Sequence, residues 1–234
     1  LKDYADLIGY INAHKKSGRN ALFIDEIQDI DGFEKALRSL HAEDNFDIYI
    51  TGSNANLLSG ELATFLSGRY IEIPVYSLSY SEFLIFHKQE NNAESFQRYL
   101  KYGGLPFLIN LPMQDEIIYD YLKNISDTII YKDVVKRFGV RNVVFLENLV
   151  EYVADNIGSL VSSKKISDFL KSQKINISTN MVIEYLSHLT NAHLLQQVKR
   201  KEVAGKKVFE IGEKYYFQDL GIRNSLRGFN AVQD

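Results

Sequence analysis

The feature that most limits the fold is a run of four apolar residues, Ala21–Ile24, that stops at two acids, Asp25 and Glu26. Four residues are too few for a helix, and an unbroken apolar run is typical of a strand buried on both faces of a parallel sheet. Open α/β sheets bind their ligands at the carboxyl ends of such strands. The run therefore predicts an α/β fold with two carboxylates at a ligand-binding edge.

The surrounding residues predict alternating helices and strands. Helical spacing of apolar residues covers 1–16 and 33–40, and residues 47–51 predict the next strand. Residues 56–67 then predict a helix, and residues 70–74 predict a third strand. This alternation is typical of a parallel sheet with crossover connections.

From residue 79 onward the pattern becomes helical. Ser79 and Glu82 form the sequence signature of a capping box, and apolar spacing predicts further helices up to Gly158. We then predict a helix from about Ser163, a helix capped by Ser178 or Thr179, and two strands. The predicted strands are 194–201 and 206–211. This is the order of a winged helix, so we divide the chain into a sheet region (1–78), a helical connector (79–140) and a winged-helix domain (141–234).

The composition excludes several kinds of site. The chain has no cysteine, which rules out disulfides, thiolate zinc sites and cysteine nucleophiles. Its five histidines lack the spacing of metal ligands. No apolar stretch approaches the length of a membrane span, so we expect a cytoplasmic protein without a membrane partner.

The paired acids have a specific chemical interpretation. One carboxylate can hold Mg²⁺ through water, while the next polarises an attacking water, as in the Walker B motif of P-loop ATPases. A strand whose first loop residues are acidic by chance is the alternative. The next strand ends in small polar residues, and Ser53, or its neighbours Thr51 and Asn54, is a candidate polar sensor or only a helix cap.

Basic residues at two places in the sequence are candidate phosphate contacts. Arg69, just before the third predicted strand, either reaches a phosphate or pairs with a carboxylate. The predicted wing is basic and could contact DNA phosphates, but the helix before it lacks Lys and Arg, so a protein partner is the alternative. The candidate nucleic-acid contacts in the wing are Lys199, Arg200, Lys201, Lys206 and Lys207.

Five motifs, in order, resemble a group of prokaryotic AAA+-type ATPases. They read LFIDEIQDI, YITGSNANLLS, LSGRYIEIPVYSLSYSEFL, YGGLPF and KYYFQDLGIRNSL. In that group a P-loop ATPase domain precedes a C-terminal region that begins with a winged helix. The resemblance implies an α/β P-loop sheet, then a helical connector and a winged-helix domain. It also implies an ATPase that uses ATP and Mg²⁺.

The resemblance assigns roles to individual residues. Asp25 would be the metal-site carboxylate, and Glu26 the catalytic base. Ser53, or else Thr51 or Asn54, would be the sensor that contacts water or the nucleotide. Arg69 would be an arginine finger, acting in its own subunit or in a neighbouring subunit of a homo-oligomer.

One part of the family pattern is missing from the sequence. The chain contains no G-x-x-x-x-G-K-[ST] phosphate loop. We expect that loop and its strand to precede Leu1 in a longer parent protein, and the chain alone to be inactive. In the AAA-type strand order, the missing strand would lie between strands 47–51 and 70–74, with strand 21–25 on the far side of 47–51.

The predicted function is Mg²⁺-dependent ATP binding and hydrolysis. It would serve as a conformational switch that acts on a nucleic acid or a protein. The rival hypothesis is a non-catalytic winged-helix adaptor, in which the sheet is only a scaffold. The acid pair Asp25-Glu26 favours the ATPase, because an adaptor has no need of two carboxylates at the end of a strand.

Overall fold

The computed structural model describes residues 1–53, 69–172, 175–199 and 213–228. The chain divides into two compact units, Leu1–Pro74 and Val75–Asp234. The elements of the first unit are α1 (Tyr4–His14), β1 (Asn20–Ile24), a 3₁₀ turn (Ile27–Asp29), α2 (Phe33–Ala42) and β2 (Phe46–Ile50).

The first unit is a small parallel sheet with helices on one face. β1 and β2 are parallel neighbours, with Leu22 opposite Ile48 and Phe23 opposite Tyr49. The side chains of Leu22, Ile24 and Ile48 pack in one cluster with apolar residues of α1 and α2. The predicted α/β character of this region and the pairing of its first two strands are therefore confirmed.

The other face of this sheet is open. Phe23 is 74% exposed and Tyr49 is 56% exposed, and their rings stack with centroids 4.8 Å apart. The prediction that the first strand is buried on both faces is therefore wrong. The reason is that the described helices pack against the Leu22 and Ile24 side of the strand and leave Phe23 uncovered.

The third predicted strand is not formed. Residues 70–74 have no strand structure, and Ile71 and Ile73 are 89% and 77% exposed. Within the described ranges, β2 pairs with β1 and with no other strand. A strand exists only when a neighbour accepts and donates its backbone hydrogen bonds, and no described strand does so for 70–74. The predicted helix 56–67 lies outside the described residues.

The second unit is mainly helical. Its capping box is confirmed, because the Ser79 N–H donates to the Glu82 carboxylate at 2.8 Å.

No described helix is long and apolar enough to cross a bilayer. The elements are α3 (Tyr80–Phe86), α4 (Ala93–Tyr102), a 3₁₀ turn (Pro106–Asn110), α5 (Asp115–Thr128), a π-helix (Ile129–Lys136), α6 (Val143–Asp155), α7 (Ser163–Ser172), α8 (Thr179–Asn191), β3 (Leu195–Val198), β4 (Lys214–Phe217) and α9 (Leu220–Arg227).

An antiparallel hairpin follows α7 and α8, which is the predicted order. Leu195 of β3 lies opposite Phe217 of β4, and Val161 forms a bridge to Glu213 beside the hairpin. The described partner of β3 is therefore Lys214–Phe217, whereas the strand predicted at 206–211 lies outside the described residues. The winged-helix identity of this part and the three-part division of the chain stay predictions.

Two of the quoted motifs meet in the interior of the second unit. Asp219 is the N-cap of α9, and its carboxylate accepts the N–H groups of Gly104 at 2.8 Å and Ile222 at 3.1 Å. Burial raises the pKa of Asp219, while these donors oppose that rise. A Cβ on Gly221 would lie 1.9 Å from the Tyr102 carbonyl oxygen. The backbones of α4 and α9 are therefore in close contact where the two motif segments meet, which are YGGLPF (102–107) and QDLG (218–221).

Candidate functional site

The paired acids lie where β1 ends. Asp25 is exposed and Glu26 is half-buried. Glu26 adopts the left-handed conformation, with φ at +50°, and a 3₁₀ turn begins at the next residue. A residue with a side chain rarely adopts this conformation, so the chain turns sharply between the strand and the 3₁₀ turn.

Thr51 joins both acids from the end of β2. Its hydroxyl donates to Oδ1 of Asp25 and accepts the backbone N–H of Glu26 at 3.1 Å. The backbone continues the parallel pairing, because the Thr51 N–H donates to the Ile24 carbonyl at 2.9 Å and the Ile27 N–H donates to the Thr51 carbonyl at 3.0 Å. The structure therefore brings Asp25, Glu26 and Thr51 together at the carboxyl edge of the sheet.

Gln28 belongs to the same cluster, and the sequence reasoning missed it. Its side-chain amide donates to Oε2 of Glu26. A Cβ on Gly52 would lie 2.8 Å from Oε1 of Gln28, so a glycine makes room for this amide. The available signal was the position of Gln28 in the motif, two residues after the predicted base.

The charges at the two ends of the sheet differ. Asp47, at the start of β2, pairs with Arg19 at 2.6 Å, and the hydrogen bonds from Arg19 lower the pKa of Asp47. Within the described ranges, no Lys or Arg forms an ion pair with Asp25 or Glu26. The carboxyl edge therefore keeps two carboxylates that the described basic residues do not neutralise.

The structure describes two of the other three residues predicted for the nucleotide site. Ser53 is half-buried two residues after Thr51, and Arg69 is exposed. No hydrogen bond or ion pair in the described structure links Arg69 to Asp25 or Glu26. Asn54 lies outside the described residues.

The predicted nucleic-acid contacts are described only in part. Lys199 is exposed immediately after β3. On α8, Asn180, Ile183, Glu184 and Ser187 are exposed, and this face carries an acid but no base. The other four predicted basic contacts, Arg200, Lys201, Lys206 and Lys207, lie outside the described residues.

The donor set at the carboxyl edge suits Mg²⁺ better than a metal that needs a complete protein cage. Asp25, Glu26 and Thr51 supply only oxygen atoms, and Mg²⁺ is usually bound by one or two carboxylates together with phosphates and water. No group of three or more His, Cys, Asp or Glu residues in the described ranges could hold a metal alone. The residues therefore fit the metal side of an Mg–ATP site. This sequence contains no G-x-x-x-x-G-K-[ST] motif.

Comparison with known families is consistent with this site. The family model described as "AAA domain" matches residues 1–84, and the model described as "Domain of unknown function (DUF8612)" matches residues 93–233, more than half of the chain. The chain belongs to the DUF8612 family. The AAA domain before that region relates the protein to the AAA ATPases, and the predicted resemblance is confirmed.

The relatives of this DUF8612 protein are longer and uncharacterised. A protein of Haemophilus influenzae is 38% identical over 237 residues, which cover 97% of this chain and 58% of that protein. A protein of Methanocaldococcus jannaschii is 32% identical over 212 residues, which cover 84% of this chain and 48% of that protein. The chain thus spans about half the length of the curated relatives it matches.

A solved structure shares the fold. A Walker-type ATPase of Pyrococcus abyssi superposes with a TM-score of 0.57 over 90% of this chain and 63% of that chain. The two sequences are 16% identical, so this likeness concerns the fold alone.

Proposed function

We propose that the full-length protein binds and hydrolyses ATP with Mg²⁺ and uses the cycle as a conformational switch. The observation that carries the proposal is the Thr51 hydroxyl, which bonds to Asp25 and to the Glu26 backbone at the carboxyl edge of the sheet. The match to an AAA domain supports the same activity. A scaffold without chemistry has no need to hold two carboxylates there.

The two acids take different parts in this proposal. Asp25, exposed and fixed at one oxygen by Thr51, would hold Mg²⁺ through water, and the metal would neutralise phosphate charge. Glu26 would accept a proton from the water that bonds to the γ-phosphorus as the bond to the ADP oxygen breaks. Ser53 and Asn54 are proposed as sensors, and Arg69 as the arginine finger, in its own subunit or across a homo-oligomer.

The metal role is tested by Asp25→Asn in the full-length protein. Asparagine keeps an oxygen that can accept the Thr51 hydroxyl but loses the charge that attracts Mg²⁺, so we expect Mg²⁺-dependent ATP hydrolysis to be lost. Asp29→Asn, the same change at an exposed acid of the following turn, is the matched control and should retain hydrolysis. Equal hydrolysis by wild type and Asp25→Asn would favour the adaptor hypothesis.

We propose that the switch acts on a nucleic acid or a protein through the region of α8 and the hairpin. Lys199 is exposed at the end of β3, which supports a phosphate contact. If DNA is the partner, Lys199→Ala should reduce the slope of log affinity against log salt by about 1 in an anisotropy titration with duplex DNA. Absence of DNA binding at low salt would favour a protein partner.

A further inference from the structure

Gln28 is placed to restrain the side chain of Glu26. The Nε2 group donates to Oε2 of Glu26, and Gln28 itself is half-buried. The orientation of the amide follows from chemistry, because the opposite orientation would bring its carbonyl oxygen against a carboxylate oxygen. Gln28 therefore occupies Oε2 of Glu26, whereas Oε1 forms no hydrogen bond with the part of the chain that the structure describes.

The backbone of Glu26 is restrained independently. Its N–H donates to the Thr51 hydroxyl at 3.1 Å, and its carbonyl accepts the Asp29 N–H at 2.9 Å. These contacts hold the left-handed turn, but they leave the side-chain torsions of Glu26 free. Among the hydrogen bonds of the described residues, the one from Gln28 is the bond that restrains the Glu26 side chain.

Gly52 provides the space for the Gln28 amide. Oε1 of Gln28 is enclosed and accepts no hydrogen bond from the described residues, and a Cβ on Gly52 would lie 2.8 Å from it. Real Cβ atoms do not approach oxygen that closely, so an alanine at position 52 would displace the amide. Gly52 and Gln28 therefore act together: the glycine leaves the space that the amide needs in order to bond to Glu26.

We propose that Gln28 is a positioning residue that holds Oε2 of Glu26 so that Oε1 faces the attacking water, with Gly52 as the space this arrangement needs. The inference rests on the proposed ATPase function. It predicts that loss of the Gln28 amide misplaces the base without changing the binding of the nucleotide.

The kinetic test uses the full-length protein. Gln28→Ala should lower kcat for ATP hydrolysis about tenfold or more, because misplacement of a catalytic group by about 1 Å can cost about 10²-fold. The KM for ATP should stay nearly unchanged. Gly52→Ala alone should lower kcat similarly, whereas the double variant should lose no more than Gln28→Ala. If the double variant instead lost the sum of the two single effects on kcat, Gly52 and Gln28 would act independently, which would contradict the inference.

A spectroscopic test does not depend on hydrolysis. In wild-type protein, the Nε2 protons of Gln28 should resonate downfield in a ¹⁵N–¹H spectrum because they donate to a carboxylate. Glu26→Gln should move this signal upfield, whereas Asp29→Asn should not. An unmoved signal in Glu26→Gln would overturn the inference.

The outcomes separate the inference from the proposed function. If Glu26→Gln is inactive and Gln28→Ala has wild-type kcat, Gln28 does not position the base and only the inference fails. If Glu26→Gln also has wild-type kcat, the assignment of the base fails. A kcat raised by Gln28→Ala would show that Gln28 restrains Glu26 in an inactive position, which likewise contradicts the inference.

Discussion

The two units of the chain use their motif residues differently. In the first unit, the acids and Thr51 lie at the accessible edge of a sheet whose outer face exposes Phe23 and Tyr49. In the second unit, Asp219 is buried and Gly221 makes backbone contact with α4. The difference indicates that the quoted family motifs have two kinds of physical role. We propose that the residues at the sheet edge supply chemistry, whereas the buried residues of the second unit permit close packing.

The largest effect on stability is expected where a side chain of the second unit is fully buried, in contrast to the exposed sheet face of the first unit. Phe83, in the second unit, is fully buried and lies against the rings of His87 and Tyr99. Phe83→Ala should lower the free energy of unfolding by about 3–5 kcal/mol. Phe23→Ala, at a residue that is 74% exposed, should cost about 1 kcal/mol or less.

Hydrogen exchange measured by mass spectrometry reports the protection of backbone amides in each unit separately, so it checks both variants. Faster exchange should appear in the second unit of Phe83→Ala and stay small in the first unit of Phe23→Ala. If both variants lose equal protection, the outer face of the first unit is covered in solution. The comparison would then fail.

The same substitution at two helical glycines should act in opposite directions. A Cβ on Gly221 would lie 1.9 Å from the Tyr102 carbonyl oxygen, so Gly221→Ala must separate α9 from α4 and should cost about 1–3 kcal/mol. A Cβ on Gly9, in α1, would meet no atom within 4 Å. Gly9→Ala should therefore stabilise the first unit by about 0.5–1 kcal/mol.

Chemical denaturation of the two glycine variants provides the check. Gly221→Ala should unfold at a lower denaturant concentration than wild type, and the first unit of Gly9→Ala at a higher one. Unchanged stability of Gly221→Ala would mean that the contact between YGGLPF and QDLG is not tight.

The smallest expected effect concerns pH and the capping box. Hydrogen bonds from the Ser79 hydroxyl and N–H lower the pKa of Glu82 below its ordinary value of 4.5. A carboxyl group with a lowered folded pKa stabilises the fold above its unfolded pKa, and this contribution is lost as pH falls through the folded pKa. The second unit should therefore lose a little stability in acid below pH 4.5.

Ser79→Ala removes the hydroxyl donor and should make this acid dependence shallower. Unfolding midpoints measured across a pH series test it, with Ser159→Ala, at an exposed serine of the second unit outside the capping box, as the control. An identical pH dependence in wild type and Ser79→Ala would show that the capping box does not shift the titration of Glu82.

Local features could be predicted from the sequence, whereas features that depend on a distant partner could not. The capping box at Ser79 and the Ser178 cap, which accepts the Met181 N–H at 3.2 Å, involve residues three positions apart. Residues 70–74 have the composition of a strand, but their structure depends on a neighbour in the sheet. A local pattern cannot supply that neighbour.

The site shows the same division. Asp25 and Glu26 could be predicted because they directly follow an apolar run, and Thr51 because it ends the adjacent strand. The position of Gln28 two residues after Glu26 was readable in the sequence, but the geometry of its bond to Glu26 was not, since it depends on a left-handed turn and on the space at Gly52. The three consecutive aromatic residues Tyr215, Tyr216 and Phe217 were a readable strand signal that the sequence reasoning did not use, and the structure buries Tyr215 and Phe217 in β4.

Single-turnover hydrolysis of ATP by Glu26→Gln in the full-length protein tests the central claim most directly. The account predicts that a fluorescent ATP analogue binds with nearly wild-type affinity, while the chemical step slows by about 10²-fold or more because the base is lost. A chemical step at the wild-type rate would contradict the account, since Glu26 would then not be the base at the end of β1.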